Sequence, residues 1–279
     1  MNIPWKIKSF IFACVDFFNA PSVLYFLQKH VTKRTRVGTV KVSPIWQAHK
    51  QYLKKYSATG QVFEFGAGKS LGQNLYLSDV VEGQIVVDLN PMIDLDLVEN
   101  MRYQISKAVN LRSVEKILTH ESLVEYGIEY RAPYDAAKTD FNDKSINACI
   151  STNTLEHIPK ASIVSIFSEL YRTLTADGIV SARIDYSDHY AHTDKRISML
   201  NYLKFDEKCW KKYNHNCHFQ NRLRHDDYLA IFEQTGFVVK EEELFFEESE
   251  IPDEVIEAFK HKNDTWQATS AHVVLMKEG

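Results

Sequence analysis

The chain is poor in cysteine, glycine and proline. Four cysteines (Cys14, Cys149, Cys209 and Cys217) among 279 residues make no disulfide framework, and they suit a reducing compartment. Ten glycines and seven prolines exclude a collagen-like repeat or a long low-complexity linker. No run reaches the ~18 apolar residues that a bilayer-spanning helix needs. Charge of one sign is scarce too. With 33 Lys+Arg against 37 Asp+Glu the formal charge is −4, which argues against bulk nucleic-acid binding.

What is present is ordinary globular material: 44% hydrophobic, 25% charged and 12% aromatic residues. The length suits one large domain, or one domain with appendages. The charge is uneven. Up to Lys41 the chain holds seven Lys/Arg against Asp16 alone, a local +6 that leaves −10 for residues 42–279. Lys6 and Lys8 precede the apolar run Phe10–Val15, but Asp16 ends it early and no convincing cleavage pattern follows, so a signal peptide is not expected. Two readings suit residues 5–30. One is a pair of helices, broken near Asn19-Ala20-Pro21, that packs on the main domain. The other is an interfacial segment. Trp5, Phe10, Phe12, Phe17, Phe18, Tyr25 and Phe26 would enter a membrane surface, with the basic run Lys29–Arg36 at anionic headgroups.

Further on, strand and helix patterns alternate. Ser43-Pro44 reads as an N-cap with proline at the first helical position, opening a helix through Tyr56. Strands are expected at 61–65, 84–88, 128–131, 145–151 and 179–185. Residues 95–127 read as mostly helical. Lys160–Leu174 has helical periodicity, with Asp177-Gly178 as its stop, and Asp226–Thr235 is a helix stopped by Gly236. Two strands, 237–246 and 270–276, close the chain. The pattern is α/β, a doubly wound Rossmann-like seven-stranded sheet with a late antiparallel element. Residues 186–225 interrupt the alternation. They hold five of the eleven histidines, and eight Lys/Arg against four Asp/Glu. Such an insertion beyond a strand's carboxyl end sits where ligands bind in these sheets.

The glycine loop after the first strand decides the ligand. Gly68-Lys69-Ser70 could end a phosphate-binding P-loop, but position 63 is Phe, so that pattern fails. Gly66 and Gly68 begin a dinucleotide fingerprint, but position 71 is Leu. Glu64-Phe65-Gly66-Ala67-Gly68, followed twenty residues later by Asp88, fits a third pattern. The glycines admit a ligand close to the backbone, and Asp88 can accept both hydroxyls of a ribose.

On these residues the chain resembles the class I S-adenosylmethionine-dependent methyltransferases. Glu64–Gly68 resembles that family's first motif, and Asp88 its ribose-binding acid. Asp135-Ala136, with the segment Thr139–Asn147, resembles the stretch whose Asp meets the adenine amino group. Ser151–Ile158 resembles the fourth motif, and Leu170–Leu174 with Asp177-Gly178 the approach to the fifth strand. Asn147, where many relatives carry Asp, and Lys69 are departures. The resemblance implies S-adenosylmethionine as cofactor, held by Glu64, Phe65, Gly66, Ala67, Gly68, Asp88, Leu89, Asn90, Asp135, Ala136, Ser151 and Asn153.

The cofactor of that family brings an electrophilic methyl group, so the protein must position an acceptor and, for a hydroxyl, remove its proton. His189 is the expected base, with His192 next. Asp185 would orient either imidazole, and His157 is a further candidate that more often holds the loop in this family. Trp210 and Tyr213 could stack on a sugar or aromatic ring, and Arg222 and Arg224 could clamp a phosphate or carboxylate. Two metal readings exist, at His189, His192 and Asp194 or at Cys209, His215, Cys217 and His218. Neither matches a closed zinc pattern, and no metal is expected. The expectation is a helical extension (1–42) and a methyltransferase domain (43–279) with an acceptor lid (186–225). It is an enzyme that methylates oxygen on a small or glycan-like, anionic acceptor, without nucleic-acid partners. It would lie in the cytoplasm, with a peripheral membrane foot. The rivals are an RNA methyltransferase and a non-catalytic, membrane-peripheral interaction protein.

Overall fold

Seven strands form a single sheet in this computed structural model, which describes residues 3–18, 42–247 and 250–278. They are β1 (Gln61–Phe65), β2 (Gly83–Val87), β3 (Ile128–Arg131), β4 (Ile146–Thr152), β5 (Leu174–Asp185), β6 (Phe237–Phe245) and β7 (Ser270–Lys277). Their order is β3-β2-β1-β4-β5-β7-β6. β1 to β5 are parallel, and β7 runs antiparallel between β5 and β6. The chain leaves β1 toward β2 on one side and later enters β4 on the other. The carboxyl ends of β1 and β4 therefore frame the switch point, where open α/β sheets bind ligands.

The helices are α1 (Trp5–Phe17), α2 (Pro44–Lys55), α3 (Gly72–Leu77), α4 (Leu95–Ile105), α5 (Lys160–Thr173), α6 (Glu207–Trp210), α7 (His225–Gln234) and α8 (Asp253–Phe259). Ser43 caps α2 as its sequence requires, its hydroxyl accepting the Ile45 N–H at 3.2 Å. Both faces of the sheet are covered. Phe63 and Phe65 point to one face, where α5 and α7 bring Ile163, Phe167, Ile231 and Phe232. Val62, Ala148, Ile150 and Ile179 point to the other, against Leu53 of α2 and Leu77 of α3. Two-sided burial explains why the central strands carry apolar residues on both faces.

Two expectations need correction. Only Leu95–Ile105 of the 95–127 stretch is α-helix; a 3-10 segment, Glu121–Tyr126, follows after a loop. The loop has its own anchors: Arg112 donates to the carbonyls of Val81 and Glu82, and Glu99 accepts the Ile117 N–H at 2.9 Å. Asp177-Gly178 is no helix stop either. α5 ends at Thr173, Leu174 is already extended, and β5 runs through both residues.

The N-terminal helix is not a separate appendage. α1 lies on the 186–225 insertion, where Trp5 and Phe12 join Tyr190, Tyr202 and Trp210 in one buried cluster. The Trp5 N–H donates to Asp194 at 2.9 Å, and Asp16 accepts the N–H groups of Asn216 and Cys217. The proposed second helix, Tyr25, Phe26 and the Lys29–Arg36 run lie outside the described residues. No helix among the described residues is long and apolar enough to cross a membrane.

Candidate active site

The glycine loop is built by backbone conformation first. Gly66 and Gly68 have φ of +74° and +75°, a region that costs an L side chain about 1–2 kcal/mol. Gly66 has a steric reason as well. A Cβ there would stand 2.4 Å from Thr154 Cγ2. Thr154 Oγ1 donates to the Gly66 carbonyl at 3.2 Å, and the Gly66 N–H donates to the Val87 carbonyl at 2.9 Å. The loop is thus pinned to β2 on one side and to the segment after β4 on the other.

Glu64 lies beneath this loop. It is 4% exposed and accepts from Gln73 Nε2 at 3.0 Å and Asn74 Nδ2 at 2.7 Å, both on α3. Burial pushes its carboxyl up to about 7 against those two hydrogen bonds. A chain of buried polar groups leads to it. Gln73 Oε1 accepts from Thr152, Thr152 meets His49 Nε2 at 3.0 Å, and His49 Nδ1 meets Ser181 at 2.8 Å. Ser181 also meets His272 at 2.9 Å. Burial holds both imidazoles below their usual range.

Asp88 stands just past β2 and is 3% exposed. Burial pushes its carboxyl up to about 6; the hydroxyl of Tyr130, 2.9 Å from Oδ2, and the Gly68 N–H act the other way. Asp88 borders a cleft of about 640 Å³ whose walls include Phe65, Gly66, Leu89, Asn90, Asp135, Ala136 and His157. Most of the residues expected at a cofactor thus meet in one place. Glu64, Ala67, Gly68, Ser151 and Asn153 are not among its lining residues. Glu64 and Ser151 are buried, and Asn153, at φ +49°, shapes the turn after β4. Thr154 and Ile158, within the Ser151–Ile158 motif but not singled out there, line the same cleft, as do Tyr134, Met92 and Ser162, which no short motif marks. Asn216 of the insertion completes the rim. A second cleft, of about 590 Å³, lies between residues 191–204 and 247–253 and contains none of the motif residues.

The histidines gather beside the first cleft. Asp185 ends β5, and its Oδ2 is 3.4 Å from His189 Nε2 and 3.6 Å from His192 Nε2. Burial alone would raise the Asp185 carboxyl, but His189, His192 and Ser187 outweigh it and hold it far below the carboxylate range. His157 faces His189 edge-on, with ring centroids 4.9 Å apart. Of the four candidate catalytic residues, His157 is the one on the cleft wall; His189 stands behind it, and His192 is exposed.

The expected acceptor contacts have other work. Trp210 is 2% exposed and packs among Tyr190, Tyr202 and Phe205, with Tyr213 beside it. Arg222 donates to the carbonyls of Tyr202 and Phe205 and pairs with Glu207. Arg224 is buried and donates to the carbonyls of Tyr186, Trp266 and Ala268 and to the Tyr202 hydroxyl. Neither guanidinium is free to clamp an anion, because each closes the insertion on itself or on the body. Among the described residues, neither of the two metal readings weighed from the sequence forms. Asp194 is held by Trp5 and Arg196, and His215 is bonded to Ser9.

Comparisons agree with this geometry. Residues 83–182 match a family model described as a methyltransferase domain. Among solved structures, the chain is similar to the YcgJ protein of Bacillus subtilis. Identity is 16% over 83% of this chain and all of that one, with a TM-score of 0.47. It is also similar to the CurJ carbon methyltransferase, at 15% identity over 93% of this chain and 61% of that one, with a TM-score of 0.51. Geranyl diphosphate C-methyltransferase of Streptomyces coelicolor shares 11% identity over 83% of this chain and 77% of that one, with a TM-score of 0.49. A search of curated proteins gives no match. Strand order, glycine loop and domain match define a Rossmann-like methyltransferase. Residues 83–182 thus carry a methyltransferase domain, and the fold around them is of the Rossmann-like methyltransferase type.

Arg224→Ala should leave several buried carbonyls without donors and cost about 3 kcal/mol or more, read by urea denaturation. Arg224→Lys should not restore it, because a point ammonium cannot span acceptors from separate segments. Unchanged stability with lost turnover would return Arg224 to the acceptor.

Proposed function

We propose that the 640 Å³ cleft is the cofactor site and that the chain transfers a methyl group to a hydroxyl of a small or glycan-like acceptor at its histidine-lined edge. The observation that carries this reading is the convergence of Phe65, Gly66, Asp88, Asn90 and Asp135 on one cleft bounded by His157. When bound, S-adenosylmethionine supplies a sulfonium methyl as electrophile. Asp88 accepts the two ribose hydroxyls, and Gly66 lets the main chain close on the ligand without a side chain in the way. Asp135 takes the adenine amino group, with Leu89 and Ala136 as apolar walls. The Glu64–Asn74 and Glu64–Gln73 bonds keep the loop in place from below.

Oxygen is favoured as acceptor because proton-accepting groups crowd the edge where it would stand. His157 offers Nε2 there, since its Nδ1–H is committed to the Phe219 carbonyl at 2.7 Å. His189 and Asp185 position that ring from behind. The preference for an anionic acceptor rested on the basic balance of the insertion and on Arg222 and Arg224, and the two arginines no longer carry it.

A second reading concerns α1. Ile7, Phe10, Ile11, Phe17 and Phe18 are exposed, and Phe10 and Phe17 keep 70% and 83% of their surface. At 3.6 residues per turn these five fall within roughly a third of the helix circumference, opposite Trp5, Ser9 and Phe12. Such a face suits the boundary of an anionic bilayer, with the enzyme lying on the surface.

Asp88→Ala should abolish S-adenosylmethionine binding by calorimetry in a folded protein. In the wild type, binding should weaken as pH falls through about 6, as Asp88 takes up a proton, reaching about tenfold near pH 5. Undiminished binding by the variant overturns the cofactor site. With methyl-labelled cofactor and a panel of hydroxylated small molecules and oligosaccharides, label should be recovered on oxygen. His189→Ala should bind cofactor normally with a lower kcat, and label found only on nitrogen or carbon overturns the acceptor class. The full chain should float with phosphatidylserine-containing vesicles. Phe10→Ser/Phe17→Ser should remain in the pellet fraction, and equal flotation of the two overturns the membrane reading.

A further inference from the structure

One feature of the histidine cluster exceeds what a base needs. Glu156, in the 3-10 turn Leu155–His157 after β4, is 3% exposed, and neither of its carboxylate oxygens has a hydrogen-bond partner. The main-chain N–H groups of Glu156 itself and of Asp185 lie near enough to favour its charge but make no hydrogen bond to it. His189 Nε2 is likewise buried and without a hydrogen bond. Buried polar groups are nearly always satisfied, and a bare carboxylate is among the costliest exceptions. Burial favours the neutral acid, but neither oxygen has a hydrogen-bond partner in either form. A carboxylic acid would remove the charge but add an O–H donor that itself needs an acceptor.

The surroundings resolve it differently. One donor atom each from Glu156, His157 and His189 lies within 4.8 Å of the others, and Asp185, His189 and His192 form a second such group around the same His189. His157 is oriented as a ligand would be. Its Nδ1–H donates to the Phe219 carbonyl at 2.7 Å, which fixes the tautomer and leaves the Nε2 lone pair for the cluster. His192 is not arranged in that way. Ser187 gives its hydrogen to Asp185, so His192 Nε2 meets Ser187 Oγ as a donor. Lys8, nearby on α1, donates to the main-chain carbonyl of His189 at 3.1 Å.

We propose that Glu156, His157 and His189 form a binding site for a divalent transition-metal ion, with Asp185 Oδ2 at its edge. Two imidazoles and a carboxylate suit Zn2+, Mn2+ or Fe2+ and leave coordination positions open. The ion satisfies Glu156 and His189 together. Through His157 it stands at the cleft edge, where an acceptor hydroxyl could be its next ligand. This deepens the reading of that edge as the acceptor site, but it is tested without cofactor or acceptor, so either reading can fail alone.

Co2+ is the probe, titrated into the full-length protein after chelation and desalting. The expected result is saturation near one equivalent, with visible d–d absorption and a rise in the thermal midpoint. Glu156→Gln keeps the shape and removes the charge, and it should weaken Co2+ binding at least tenfold; His189→Ala should do the same. Circular dichroism establishes that each variant is folded, and the pair guards against failure of either one. No saturable binding by the wild type, as a bridging water at Glu156 would give, overturns the proposal. So does Co2+ binding by a folded Glu156→Gln at wild-type affinity.

Discussion

The site depends on how closely the loop after β1 approaches the segment after β4. Gly66 meets Thr154 at a distance that leaves no room for a Cβ, and the Thr154 hydroxyl closes onto the Gly66 carbonyl. β1 and β4 are neighbours in a parallel sheet, so their carboxyl ends emerge side by side and the chains must part there. A positive φ at Gly66 turns the β1 loop toward β2, where its N–H finds Val87. The cleft is what the two departing chains leave between them. Asp88 from β2 and His157 from the β4 segment then reach it from opposite sides, each carried by its own strand.

Much of this was legible because it is local. Short apolar strands, a Ser-Pro helix start and a Gly-x-Gly after a strand are decided within a few residues, and the structure reproduces strands 61–65 and 128–131 to the residue. The glycines and Asp88 were legible as a set because strand geometry fixes which residues emerge at the sheet's edge. Arg224 misled for the complementary reason. Its charge suggested a ligand, but its partners come from residues 186, 202, 266 and 268, segments that no local pattern joins. Trp210 and Tyr213 misled likewise, because an aromatic residue in an insertion reads the same whether it faces a ligand or Trp5.

The partnership of α1 with the insertion was the least legible feature, and it alters how the insertion works. Asp16 caps the turn at 216–217, and Asn216 lies on the cleft rim. Trp5 and Phe12 complete an aromatic core that the insertion lacks alone. One face of α1 is thereby packed on the insertion, leaving its exposed apolar residues on the other. If that face lies on a bilayer, the lid is held at the surface too, and the acceptor edge opens close to the interface.

Three acids show how the fold separates roles at these strand ends. Glu64, Asp88 and Glu156 are all nearly buried, and burial raises each of them above its ordinary range. Their partners differ. Glu64 has two side-chain amides, so it is satisfied within the protein and serves the loop's shape. Asp88 has one phenol and the Gly68 N–H, with the cleft beside it, so it keeps acceptor capacity on that side. Glu156 has no hydrogen bond at all, and the groups nearest it are imidazoles. A desolvated carboxylate with acceptor capacity left over can take a partner from outside. For Asp88 the proposed partner is a neutral diol. For Glu156, with lone-pair nitrogens as its neighbours, a cation meets the need of all three groups at once.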